Sequence, residues 1–292
     1  MILDDSAPRY TPHLAAHGLL SMGLQTLDPA HWIETDSSLA RFHRHKLSMR
    51  GQYGDAVFAA LPASRPAQRE LARMLLAHLL AQHSDAYERR AGCMVCRPGR
   101  FEVALSESDP EPLWHASLLI ADDLAIMQPS DRGYLLTAAS LASPSHWRLQ
   151  DKLGLPMHAI HDPIPGVHSQ LTQRIDRFLA HISPQRPVCR FNWGLQAGPA
   201  LFQPRGLEAP VSPRVPIYYR VERQTLRRLP ESGAVAFTIR VFLHPLAALA
   251  ELPGGIQRLL EAVDSTPPEL AEYKGFTVLR DALAQYRVKY SP

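Results

Sequence analysis

The strongest constraint on this chain is a stretch that must be extended and is nevertheless full of charge. Residues 218–230, Tyr-Tyr-Arg-Val-Glu-Arg-Gln-Thr-Leu-Arg-Arg-Leu-Pro, pass through Pro-Glu-Ser-Gly into residues 233–240, Gly-Ala-Val-Ala-Phe-Thr-Ile-Arg. Proline and glycine supply the dihedrals a tight reversal needs, so the segment predicts a β-hairpin. In its second strand Val235, Phe237, Ile239 and Val241 share one face, and Ala236, Thr238, Arg240 and Phe242 share the other. The first strand carries Arg220, Glu222, Arg223, Thr225, Arg227 and Arg228. Charges this dense either face solvent as a ladder of cross-strand ion pairs or line a polar site, because burying an unpaired charge costs too much. The residues alone leave both readings open.

Around that hairpin the hydrophobic period changes several times. Residues 1–50 read as irregular, with short helical pieces around 27–44. Apolar spacing predicts an amphipathic helix over 65–83. Strand-like runs follow at 100–105, 113–120, 124–127 and 133–141. Short helices are expected at 146–153 and 156–161, and a longer one at 167–182 with Leu171, Ile175, Phe178 and Leu179 on one face. Strands at 188–195, 217–229 and 234–243 come next, then helices near 245–264, 267–273 and 276–287. Two strands, a group of helices and three strands joined by short links predict an α+β fold. Its expected form is a PAS-like antiparallel sheet covered on one face by helices, with additional N- and C-terminal helices. The expected layout is one domain over 1–292, with a core at about 98–244, an N-terminal helical segment at about 27–90 and C-terminal helices at about 245–288.

Bulk properties narrow the function. The chain has 31 basic and 28 acidic residues, a net charge of +3, and no Lys/Arg cluster interleaved with aromatics, so nucleic-acid binding is not expected. No apolar run is long enough to cross a bilayer and the amino terminus is acidic, so a cytoplasmic location without membrane association is expected. Three cysteines exclude a disulfide framework. Cys93 and Cys96 form a CxxC without a second pair to complete a zinc site, and the motif precedes an expected strand where a redox motif would open a helix. They read as a reduced, incidental pair. Glycine fingerprints for dinucleotides or phosphates and a GxSxG elbow are absent from the sequence.

Residues 138–166 (Ala-Ala-Ser-Leu-Ala-Ser-Pro-Ser-His-Trp-Arg-Leu-Gln-Asp-Lys-Leu-Gly-Leu-Pro-Met-His-Ala-Ile-His-Asp-Pro-Ile-Pro-Gly) add a second constraint. Together with Arg190-Phe-Asn-Trp193, Glu222–Pro230 and Phe237–Arg240, in that order, this segment resembles the haem-dependent oxidative N-demethylase family. The likeness extends from His31-Trp32 to Tyr273-Lys-Gly275. It implies haem b as cofactor, a small methylated amine such as dimethylamine as substrate, and formaldehyde as product. It also implies electrons from NAD(P)H through a separate flavin/iron–sulfur reductase. No CxxCH attachment motif is present, since Arg97 follows Cys96, so the haem would be held without covalent bonds.

Haem iron takes a protein ligand, often an imidazole. In the helical segment the candidates are His146, His158, His161 and His168. His161 is the expected ligand because it ends a short helix ahead of Asp162-Pro163 and lies in the string that resembles the family; His158 is one helical turn away. Alone, His161 also reads as a core or capping residue. Arg148, Arg190 and Lys152 are candidates for the propionates or for ordinary surface ion pairs, and Trp147 and Trp193 for packing against the cofactor. Glu222 is expected to meet the amine, with Arg223 and Arg240 holding it ionised and Thr225 and Thr238 as hydroxyl donors. A Glu–Arg ladder that fixes strand register is the competing account of the same residues. A non-catalytic haem sensor and a cofactor-free scaffold are the alternatives at the level of function.

Overall fold

The computed structural model describes residues 7–14, 23–106, 108–161, 165, 169–206 and 209–290; for 161 and 169–173 it describes the backbone alone. In chain order the elements are β1 (Gln25–Thr26), α1 (Leu39–Tyr53), β2 (Phe58–Ala60), α2 (Arg65–Gln82), β3 (Tyr87–Arg90), β4 (Cys93–Cys96), β5 (Phe101–Ala104) and α3 (Pro112–Ser117). Then come β6 (Asp123–Ser130), β7 (Gly133–Ser140), α4 (Met157–His161), α5 (Ser169–His181), β8 (Val188–Ala197), β9 (Ile217–Arg228) and β10 (Val235–Pro245). The helices α6 (Gly255–Asp264), α7 (Pro268–Tyr273) and α8 (Arg280–Tyr290) close the chain. The fold is α+β, with an open seven-stranded antiparallel sheet in the order β1-β8-β9-β10-β6-β7-β2 and a separate three-stranded sheet β3-β4-β5.

The charged hairpin lies at the centre of the large sheet. Strands β9 and β10 pair over their whole length, with Glu222 opposite Val241 and Arg223 opposite Arg240. The reversal turns at Gly233, where φ is +68°, a conformation that suits glycine. Its amides at Glu231 and Ser232 donate to the two carboxylate oxygens of Glu70, at 2.6 and 2.8 Å, and Glu70 is itself buried in α2. The helix thus fixes the turn from outside the hairpin.

Several expectations change. Residues 113–120 are not a strand: Pro112 starts a short helix there, and the run Leu-Trp-His-Ala-Ser-Leu-Leu-Ile is apolar because α3 and the turn after it are buried on every side. The CxxC precedes a strand, β5, as expected, and is itself a strand, β4, whose Cys93 and Cys96 lie opposite Ala104 and Phe101. Residues three apart in a strand point to opposite faces, so the two thiols diverge, and both are free. Residues 146–153 contain only a single 3-10 turn at Leu149–Asp151. Helices cover both sheet faces rather than one. Helices α1 and α2 join Ala236, Leu124, Ile126 and Ala138 in one core, while α5 packs Ile175, Phe178 and Leu179 against Val188, Leu226 and Phe237 in another. A third core sets α6 and α8 against Trp193, Leu195, Tyr219 and Val221.

Helix α1 was hidden by its composition. Its sequence Leu-Ala-Arg-Phe-His-Arg-His-Lys-Leu-Ser-Met-Arg-Gly-Gln-Tyr buries Leu39, Phe42 and, between them in function, Lys46. The Lys46 ammonium is fully buried and donates to the carbonyls of Ser117, Ile120 and Asp122 at 2.8, 3.2 and 2.5 Å. It caps the negative end of α3 and the turn that leads into β6. Lys46→Met would orphan those carbonyls and should cost on the order of 2–5 kcal/mol in urea unfolding at pH 7. Burial pushes the Lys46 pKa from 10.5 down to about 8, with Asp123 and Asp122 pulling the other way. Between those values the unfolded chain holds more protons than the fold, so the wild type gains stability as pH rises. The deficit of the Met variant should therefore grow from pH 8 to 10; a constant deficit would contradict the lowered pKa of Lys46.

Candidate functional site

Strand alternation sorts the charges of the hairpin onto two faces. Arg223, Thr225, Thr238 and Arg240 share one face. Arg223 donates to the backbone oxygens of Trp32 at 3.1 Å and His31 at 2.6 Å and lies 3.2 Å from the Glu34 carboxylate. Arg240 donates to the Glu34 carbonyl at 3.1 Å, to Asp36 at 2.5 Å and to the Ser38 hydroxyl at 3.0 Å. Thr225 and Thr238 hydrogen-bond each other at 2.8 Å, both fully buried. The two arginines tie residues 31–38 to the sheet. The expectation that Arg223 and Arg240 brace Glu222 is corrected by strand parity: they point away from it.

Glu222 looks out from the other face, next to Asn192 across the β8–β9 pair, with Gln224 beside Arg190 one step on. Its carboxylate accepts from Arg220 Nε at 3.1 Å on one oxygen and from Asn192 Nδ2 at 3.3 Å and Gln224 Nε2 at 2.9 Å on the other. Its side chain is 12% exposed and that of Arg220 3%. Burial alone would raise the Glu222 carboxyl, but the Arg220 guanidinium, the Asn192 amide and Lys274 outweigh it and hold the group below the usual range. Arg220 also donates to the Ser143 carbonyl at 2.5 Å and reaches Gln196 Oε1 at 3.4 Å. The guanidinium that holds the carboxylate thus comes from position 220, two residues along the same strand face. That parity was the signal available in the sequence.

Lys274 enters from the end of α7. Its ammonium donates to Asn192 Oδ1 at 2.9 Å and to the Trp193 carbonyl at 3.1 Å. An ammonium can only donate, so it fixes the Asn192 amide with its NH2 toward Glu222. Burial drives the Lys274 pKa down to about 8 against the attraction of Glu222, and Arg190 lowers it further. Arg190 is itself lowered by burial, and its Nε is sealed from solvent without a partner.

The remaining expected residues scatter. Trp193 belongs to the opposite face, stacked on Phe276 at 5.8 Å in the core of the C-terminal helices, so it does not join Glu222. Arg148 is half exposed, 3.6 Å from Asp151. Trp147 packs half-buried with Leu153, Met157 and Ile160 over the face that carries Leu226, Phe237 and Ile239. Lys152 donates to the Ile160 carbonyl at 3.3 Å, near the end of α4. His158 is exposed. His161 ends α4, but its side chain, like all of His168, lies outside the described residues.

A family model described as haem-dependent oxidative N-demethylase, alpha subunit-like, matches residues 23–284. The chain belongs to that family. Its residues fit the group the family name implies. Leu226, Phe237, Ile239, Trp147, Met157 and Ile160 form a half-buried apolar layer between the sheet and α4, the surface a flat macrocycle needs. Arg190, Arg220 and Lys274 bring more positive charge to the site than Glu222 neutralises, and Arg190 Nε has no partner. Such an excess suits a ligand that carries carboxylates. Among the described residues no three His, Cys, Asp or Glu side chains gather as a metal site. Among the same residues no helix is long and apolar enough to cross a membrane.

A double-mutant cycle tests the two-faced arrangement. Arg220→Met and Glu222→Gln should be non-additive in denaturant unfolding by on the order of 1–3 kcal/mol, because they share one ion pair. Arg240→Met and Glu222→Gln should add to within about 0.5 kcal/mol. Coupling of the second pair as large as the first would mean that Arg240 does reach the carboxylate.

Proposed function

We propose that this chain is the haem-b-binding catalytic subunit of a cytoplasmic oxidative N-demethylase, acting on a small methylated amine. On this reading the whole chain is one domain with a PAS-like core, a likeness supported by the way β6 and β7 sit beside the last strand of the β8-β9-β10 group. The observation that carries the proposal is a fixed buried carboxylate, Glu222, beside the apolar layer and beside Arg190, whose Nε lacks a partner, in a chain of this family.

Haem, when bound, supplies the redox chemistry that reduces oxygen with electrons from a separate flavin/iron–sulfur reductase fed by NAD(P)H. The protein supplies the rest. His161 holds the iron, and Arg190 meets a propionate. Glu222 orients the amine: Arg220 occupies only one acceptor position of Oε1, which leaves that oxygen able to accept an N–H from the substrate. Because its pKa is held low, Glu222 stays anionic and binds the ammonium rather than taking its proton. One oxygen atom enters a C–H bond of the N-methyl group, and the other leaves as water with two protons and two electrons. The resulting carbinolamine breaks at its C–N bond into formaldehyde and the demethylated amine.

The purified protein, expressed with excess haem, should show a Soret band, and acid–acetone should extract the haem. His161→Ala should lose or weaken that band, whereas His168→Ala should leave it nearly unchanged. A protein that stays colourless on reconstitution would overturn the proposal. Glu222→Gln should keep the haem and lower kcat/KM for dimethylamine at least about tenfold, chiefly through KM, because a hydrogen bond to a charged group contributes roughly 1.5–3 kcal/mol. Unchanged kinetics with a lowered melting temperature would return Glu222 to a purely structural role.

A further inference from the structure

His146 has three features that packing does not explain. Its backbone is left-handed, with φ at +53°, a conformation that costs a non-glycine residue energy and that concentrates at functional sites. The strain is held in place: the His146 amide donates to the Gln203 carbonyl at 2.7 Å, Gln203 donates back to Pro144 at 3.1 Å, and Ser145 bridges to Gln203. From the other side the buried Asp123 carboxylate accepts the amides of Ala142 and Ser143 at 3.0 and 2.8 Å. The ring so placed lies against Gly275, where a Cβ would stand 3.7 Å from its Cε1. Its Nε2 is sealed from solvent and has no hydrogen-bond partner.

The charges that act on this ring are Arg220, Lys274 and Glu222, the groups that build the site. Burial lowers the imidazole pKa, and Arg220 and Lys274 lower it further against the pull of Glu222. The ring is therefore neutral at pH 7, and in the tautomer with its proton on Nδ1 it offers Nε2 as an acceptor.

We propose that His146 Nε2 is the second acceptor for the bound amine, and so the residue that separates secondary from tertiary amines. The inference rests on the function proposed above, in which Glu222 takes one N–H of the substrate. A secondary ammonium carries two N–H donors and a tertiary ammonium one. With Glu222 and His146 both served, the secondary amine leaves no buried acceptor unpaired, while the tertiary amine must leave one.

Calorimetric titration of the haem-loaded protein with dimethylammonium and trimethylammonium chloride at pH 7 tests this. The wild type should prefer the secondary amine by at least about tenfold. His146→Gly accepts the left-handed backbone without strain and removes the ring; it should bring the ratio to within about twofold by weakening the secondary amine alone. His146→Asn, which tolerates the same backbone and keeps an acceptor, should restore part of the preference. An unchanged ratio in His146→Gly, or equal weakening of both amines, overturns the inference. So does loss of the Soret band in that variant, which would put the imidazole on iron. A haem-loaded wild type that binds neither amine instead overturns the demethylase reading on which the inference stands.

Discussion

Both faces of the central hairpin are covered, and every charge on it must therefore meet a partner inside the protein. Strand β9 places Arg220, Glu222 and Gln224 on one side and Arg223, Thr225 and Arg227 on the other. On the second side the partners are backbone carbonyls and acids of residues 31–38, so the arginines hold the N-terminal segment down. On the first side Glu222 has Arg220, Asn192 and Gln224 as its neighbours. A register slip of one residue would exchange the two sets, leaving Glu222 among the carboxylates of Glu34 and Asp36 and the arginines without carbonyls. That penalty, several buried charges at once, defines the register more strongly than the apolar residues of β10 do, since both of its faces are apolar enough to be buried.

The site depends on loops that this sheet holds from beneath. Arg220 pins the Ser143 carbonyl, and the Asp123 carboxylate takes the amides of Ala142 and Ser143, so the start of this loop is fixed from two strands of one sheet. Lys274 makes the corresponding tie for the C-terminal helices: it orients Asn192 toward Glu222 and attracts the carboxylate itself. Arg223 and Arg240 hold the N-terminal segment on the face away from Glu222, whereas Lys274 brings the C-terminal helices to Glu222 through the amide it orients.

The hairpin, the helix with Ile175, Phe178 and Leu179, and the order of strands around the helices were legible because their periods are clean and their turns carry Gly or Pro. Helix α1 was not, because its buried face includes Lys46, and a lysine that caps another element has no signature in the apolar period. The run Leu113–Ile120 misled for the opposite reason: a segment buried all round loses its period, and strand and helix then look alike. Glu222 could be singled out as a carboxylate in a dense basic strand. Its guanidinium partner was assigned to neighbours in number rather than in parity, although Arg220 stood on the correct face by simple alternation. His146 stood in the sequence as one of four candidate histidines, but nothing there signalled its strained backbone or its contact with Gly275, which arise from pairing across long separations.

Charge gives the proposed site an order of filling. Arg190, Arg220 and Lys274 surround a single carboxylate, so the protein alone repels an ammonium ion. A ligand with two carboxylates would reverse that balance, and Arg190, whose Nε lacks a partner, stands ready for one of them. Neutralising Arg190 would also remove one of the influences that depress Lys274. The amine would then meet Glu222 with fewer unneutralised cations around it. On the proposed function the cofactor is therefore part of the substrate's binding site by electrostatics alone, before any chemistry takes place, and affinity for the amine follows from occupancy by haem.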